Sequence, residues 1–141
     1  MKLGFLLFAE FAANTDDMKM VIAGTFNNIV VKRAKPNIPG TVSVLQLPRV
    51  FLAAKVEASI SDGLRHQAEL RVLNEDGKSV IQPMPLGEWV FIMSGEGRPM
   101  HFQAVIGVDK MPLPGTGEYT FELWVSGKRL GDCALYVDEA K

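Results

Sequence analysis

Two histidines, one cysteine and a tryptophan with a nearby arginine are the residues of this chain best suited to chemistry or contact. A zinc site wants three or four converging nitrogen, sulfur or carboxylate ligands. His66 lies between Arg65 and Gln67 on the inward parity of its segment, whereas His101 has the opposite parity from Phe102, so nothing in the pattern places them together. His66 reads as a core histidine with satisfied hydrogen bonds. Cys133 would need a neighbouring base and a pKa-lowering environment to act as a nucleophile. The sequence supplies neither, and a bulge at Gly131-Asp132 would leave Cys133 as a small core residue. The acidic groups at Asp16-Asp17, Asp62, Glu75-Asp76 and Asp138-Glu139 fall in turns or the tail, without the twelve-residue pattern of a calcium loop. "SGEGRP", Ser94 to Pro99, lacks the lysine and following helix of a phosphate loop, so its glycines read as turn geometry. No residue is assigned to catalysis, to a metal or to a cofactor.

Trp124 is the candidate for contact. Tyr119, Phe121, Leu123 and Val125 alternate inward, which leaves Trp124 on the outer face. A two-residue loop at Ser126-Gly127 would set Arg129 directly across from it, giving a local cation–π pair or a pair of anchors for a partner.

The elements that must position these residues are strands. Period-two alternation punctuated by Gly, Pro, Asn and Asp runs through most of the chain, and strong helical periodicity is missing. Leu52, Ala54, Val56, Ala58 and Ile60 share one face, as do Leu64, His66, Ala68, Leu70 and Val72. With Ser61-Asp62-Gly63 between them, the two runs read as an antiparallel hairpin in which Lys55 opposes Glu69. A short edge strand near Ser79 to Gln82 should end at Pro83 and Pro85, since each lacks an amide proton. "EWVFIM", Glu88 to Met93, and the alternating run Met100 to Val108 read as a further hairpin. Near the start, "MKMVIAGTFNNIVVKR" supplies one long or two short strands, "AKPNIPG" is a loop, and Leu45 to Ala54 leaves room for a helical turn. "PLPGTGEY" delivers Tyr119 to the start of a strand in the manner of a tyrosine corner.

At 141 residues and 48% hydrophobic composition, one domain spanning 1–141 is expected to bury a single core without metal or disulfide. Fifteen basic and sixteen acidic residues leave a charge of -1, which argues against nucleic acid or an acidic membrane surface as partner. One cysteine fits a reducing, cytoplasmic setting. The apolar run Leu3 to Ala9 imitates a secretion signal but is short and is followed by Glu10 and Phe11, so it reads as a buried first strand.

Ala9-Glu10-Phe11 at the end of that strand, "AGTFNNI" at Ala23 to Ile29, the turn Asp76-Gly77, and "PGTGEYTFELWVSG" at Pro114 to Gly127 occur here in order. By these motifs the chain resembles an uncharacterised family of small bacterial β-sandwich domains of unknown function. The resemblance implies a compact sandwich in a bacterial or phage setting and brings no activity or site with it. The fold expected is all-β: an antiparallel two-sheet sandwich of about eight or nine strands, immunoglobulin-like or related in topology. The function expected is a non-enzymatic protein-interaction or self-association module. The alternative is a small-ligand-binding or metal-dependent enzyme whose site lies in loops at one end, drawing on His66, His101 or Cys133.

Overall fold

The computed structural model describes residues 1–33 and 44–141, so the expected loop "AKPNIPG" lies outside the described residues. The protein is all-β, with eleven strands among the described residues. They are β1 (Lys2–Asn14), β2 (Met20–Phe26), β3 (Asn28–Val31), β4 (Leu45–Gln46), β5 (Val50–Ala58), β6 (Arg65–Leu73), β7 (Met84–Val90), β8 (Met100–Val108), β9 (Pro112–Leu113), β10 (Gly117–Val125) and β11 (Lys128–Glu139). A four-stranded sheet runs β2-β1-β5-β8 and a five-stranded sheet β3-β11-β10-β6-β7, while β4 pairs with β9. Every pairing is antiparallel except β3 on β11, which is parallel, so the second sheet is mixed. The count exceeds the expected eight or nine because β3, β4 and β9 are too short to stand out as alternating runs.

One apolar cluster lies between the sheets. Leu52, Ala54 and Val56 of β5 meet Leu70 and Val72 of β6 and Phe121 of β10 in it. The inward rows expected on β5, β6 and β10 hold, but the pairing expected of them does not. β5 and β6 belong to different sheets: Lys55 pairs with Phe5 and Gln103, and Glu69 pairs with Pro85 and Trp124. The link between them is a 3-10 turn, Ile60–Asp62, whose carboxylate accepts bonds from the Ser59 N–H at 2.9 Å and the Ser59 hydroxyl at 3.1 Å. Those bonds hold the Asp62 carboxyl below the usual range. Gly63 then takes φ +86, and the chain crosses from one sheet to the other. Ile60 and Leu64, expected inward, lie in this crossing and are 64% and 45% exposed.

The second expected hairpin is also a crossing. β7 lies in the five-stranded sheet and β8 in the four-stranded one, joined at the base by a single bridge between Ile92 and His101. Trp89 of β7 stacks on Phe102 of β8 with ring centroids 4.6 Å apart, closing that side of the core. The stretch Ser79 to Gln82 makes one bridge, Ser79 to Leu73, and the strand begins after it. Pro85 sits inside β7, tolerated because β7 is an edge and the register breaks between Ala68 and Glu69. Leu45 to Ala54 holds strand residues and no helical turn.

The tyrosine corner is present. The Tyr119 hydroxyl donates to the Gly115 carbonyl at 2.7 Å, and its ring is buried. Gly117, at φ +136, has no Cβ where one would lie 2.7 Å from the Glu75 carboxylate, which instead accepts the Glu118 N–H at 2.9 Å. Tyr119→Phe keeps the ring and loses the corner bond, so denaturant unfolding should report a loss of about 1 kcal/mol. An unchanged midpoint would mean that the bond contributes nothing to holding the turn.

One hydrogen bond reveals a bend that alternation conceals. Asn14 Nδ2 donates to the Gln103 carbonyl at 3.2 Å. Gln103 pairs with Lys55, which pairs with Phe5. A straight β1 would carry Asn14 about 30 Å along from that row, at roughly 3.3 Å per residue. The far part of the β1–β2 hairpin therefore folds back across β5 to reach β8. It crosses the outer face of the sheet, because Phe11 rests edge-on against Phe51, which points away from the core, at 6.1 Å. The register skips Glu10 and Gly24, and Gly24 has φ +70. That left-handed conformation strains any residue with a Cβ, and a Cβ there would also crowd Glu10, so the bend favours glycine.

Candidate functional site

The residues singled out for chemistry are held apart and individually satisfied. His66 is buried on β6. Its Nε2 lies 2.9 Å from the Gly63 carbonyl, which can only accept, so Nε2 carries the proton and Nδ1, at 2.6 Å, faces the Ser126 hydroxyl. The ring joins the crossing at Gly63 to the β10–β11 turn and packs edge-on against Phe91. His101 is on β8, in the other sheet, with Nδ1 2.7 Å from the Ser94 hydroxyl. It lines a groove of about 260 Å³ with Asn14, Met18 and Ile92 that includes neither His66 nor Cys133. Among the described residues no three His, Cys, Asp or Glu side chains converge as metal ligands.

Cys133 packs against the core from β11, and burial pushes its thiol up to about 12. The thiolate is therefore scarce at neutral pH. A soluble thiol reagent at pH 7 should label the native protein far more slowly than the urea-unfolded chain. Comparable rates would show that the thiol is not shielded. The parity change expected at Gly131-Asp132 is present one residue earlier: Leu123 pairs with Gly131 and Trp124 with Arg129, leaving Leu130 as the extra residue.

Trp124 lies on the outer face of the five-stranded sheet, across from Arg129 as expected, because Ser126 and Gly127 both take positive φ in a two-residue loop. The expected cation–π pairing is not with Arg129. Arg71, on the next strand, lies over the indole with its guanidinium carbon 3.6 Å from the ring centroid. Arg129 is drawn away by two carboxylates, bonding Glu122 at 2.6 Å and pairing closely with Asp132. Glu122 is 9% exposed, and its other oxygen accepts the Trp124 indole N–H at 3.2 Å. Glu69 in turn holds Arg71 at 2.6 Å. Alternation named the face correctly, but which guanidinium covers the ring depends on Glu122 and Asp132, which hold Arg129, and on β6 lying beside β10, which brings Arg71. Arg129→Ala leaves the nearly buried Glu122 without its cation and should cost about 1–2 kcal/mol. Arg71→Ala should cost about 0.5–1 kcal/mol, the worth of an exposed cation–π pair. The reverse order in urea midpoints would count against this account.

The folded-back arm, residues 10–24, is a second candidate surface that the sequence reading missed. Ala9 and Ala53 are 0% exposed yet stand outside the core cluster, because they lie on the sheet's outer face beneath or beside the arm. Ala12 on the arm is buried and its cross-strand partner Ile22 is half-buried, while Phe11 and Val21 are 50% and 47% exposed. The signal was available: β1 is apolar at both parities from Phe5 to Ala9 and again from Phe11 to Ala13, as in strands covered on both faces.

A family model, the family of unknown function DUF6941, matches residues 4–138. The chain belongs to this family. The match runs from Gly4 in β1 to Asp138 in β11, so the bent arm, the tyrosine corner and the Trp124 face all fall within the DUF6941 unit. No curated protein matches the chain. No helix among the described residues is long and apolar enough to cross a membrane.

Proposed function

We propose that this DUF6941 chain is a non-enzymatic interaction module that associates with a second copy of itself. The carrying observation is the placement of its exposed apolar side chains. Phe11, Met18 and Val21 lie along the arm, and Ile92 lies beside its tip, at the groove that Met18 and Ile92 share. Grouped apolar residues at the surface of a globular protein mark contact sites. A net charge of -1 gives two copies little mutual repulsion. The Trp124 face fits this role less well, since its ring, carboxylates and guanidinium groups already bond one another.

The same proposal takes residues 1–141 as one domain. Its strand order supports an immunoglobulin-related sandwich: β5 beside β8 in one sheet, β11-β10-β6-β7 in the other, β3 running parallel beside β11, and the tyrosine corner opening β10. A bacterial, cytoplasmic setting belongs to the proposal too, resting on the motif likeness and the lone cysteine. The enzyme reading is favoured less, because His101 stands alone in its groove and both nitrogens of His66 are occupied.

Light scattering tests the proposal. The parent protein should exceed the 15.5 kDa of one chain, and Phe11→Ser with Val21→Ser should return it to that mass with its fold intact. A parent that stays at 15.5 kDa at high concentration would overturn self-association. If Trp124→Ala dissociates the assembly and the arm variant does not, the contact lies on the other sheet.

A further inference from the structure

We infer that the arm formed by residues 10–24 is an exchangeable strap, which in the self-associated protein lies across the outer sheet face of the second copy. This rests on the self-association reading above and names its mechanism.

The strap is attached at one bend. Among the described residues its fastening includes the Asn14 bond to the Gln103 carbonyl, the Phe11–Phe51 ring contact, the groove that Met18 shares with Ile92, and small apolar residues such as Ala12 and Ala53. The bend is confined to Glu10 and Gly24, where the β1–β2 register is skipped and Gly24 takes a left-handed conformation. Straightening that one position would extend both strands without breaking the pairs on either side of it. The sheet face so uncovered is apolar, with Leu7, Phe51, Ala53 and Val105 in its outer rows, and would not remain in water. The arm of another copy covers it with the same contacts, so the two states differ only at the bend, in lost independent motion, and where the two arms cross. Exchange also gives a place to Phe11 and Val21. They are exposed on a latched arm, and two straightened arms that cross in a symmetric pair bring these residues against one another.

The experiment uses the full chain with Cys133→Ser, to remove the native thiol, and with Asn14→Cys and Gln103→Cys. The two thiols are joined with a flexible bismaleimide, which spans a contact made to the main chain of Gln103, across a range of protein concentrations, and the products are read by denaturing gel beside light scattering. Exchange predicts a covalent dimer, at twice the mass of one chain, that accounts for most of the species light scattering reports as dimeric. Gly24→Val, which cannot easily hold the bend, should raise the dimer fraction several-fold in the same assay. A dimer by light scattering that yields only internally crosslinked monomer overturns exchange while leaving self-association standing. Monomer at all concentrations with internal crosslinks overturns both. No crosslink of either kind means that Asn14 does not reach Gln103, and the strap itself is then wrong.

Discussion

Replacing Ala58 by Asp is expected to destabilise the protein by at least about 3 kcal/mol, while Ser59→Asp costs no more than about 1 kcal/mol. Ala58 is the last residue of β5, buried opposite Met100 and part of the core cluster. Ala58 is 3% exposed and on the inward row, so although Lys2 and Arg98 line the groove beside it, a carboxylate there enters apolar space and is either charged and unsolvated or held neutral by a raised pKa. Ser59, the next residue, is exposed. Its replacement loses the hydroxyl bond to Asp62 and adds a like charge beside it, both in water. The pH dependence has a definite sign. Burial raises the folded pKa of the new carboxyl above its unfolded value near 4, so the Ala58→Asp defect is smallest below about pH 4 and grows as pH rises. Urea unfolding at pH 3.5 and pH 7 measures it. Equal losses at positions 58 and 59 would mean that the register assigned to the end of β5 is wrong.

That pair of variants also marks the limit of what alternation can say. The inward rows of β5, β6, β8 and β10 were legible because a half-buried strand must place its apolar residues two apart, whichever sheet it joins. Its neighbours were not legible. Ser61-Asp62-Gly63 suits a hairpin loop and a crossing between sheets equally well, since both need a tight turn and a residue at positive φ. The deciding contact is the row β5 makes with β8, formed by residues more than forty positions apart. The candidate surface divides the same way. Trp124 could be placed on an outer face from the four inward residues around it. Its partner Arg71 comes from a strand whose adjacency is fixed only by tertiary structure. The strap left a trace in the doubly apolar first strand and in Gly24. Neither residue pattern nor turn chemistry says that a strand bends back over its own sheet.

The deepest loss is expected from Phe121→Ala, about 3–5 kcal/mol, against a total stability of about 5–15 kcal/mol for an ordinary domain. Phe121 is fully buried at the middle of β10, on the inner row of the five-stranded sheet. Its ring meets Phe8 of β1, in the other sheet, at 4.8 Å and 88°, and Phe8 also touches Phe26 at 5.8 Å. Removing the ring forfeits its transfer from water and leaves a void. Strands braced on both edges, β10 between β11 and β6 and β1 between β2 and β5, cannot easily collapse into that space. The edge-to-face geometry adds a term beyond area, worth about 0.5–1.5 kcal/mol in comparable pairs. Phe8→Leu keeps most of the apolar volume and loses the ring, so the double-mutant cycle of Phe8→Leu with Phe121→Leu isolates that term. A coupling near zero, together with a Phe121→Ala loss of only about 1 kcal/mol, would show that the sheets are not joined through this ring pair. A coupling in the expected range would make the Phe8–Phe121 contact a principal tie between the layers. The strap's bend begins two residues beyond Phe8, so β1 would then be anchored to the core immediately before the point where it is free to move.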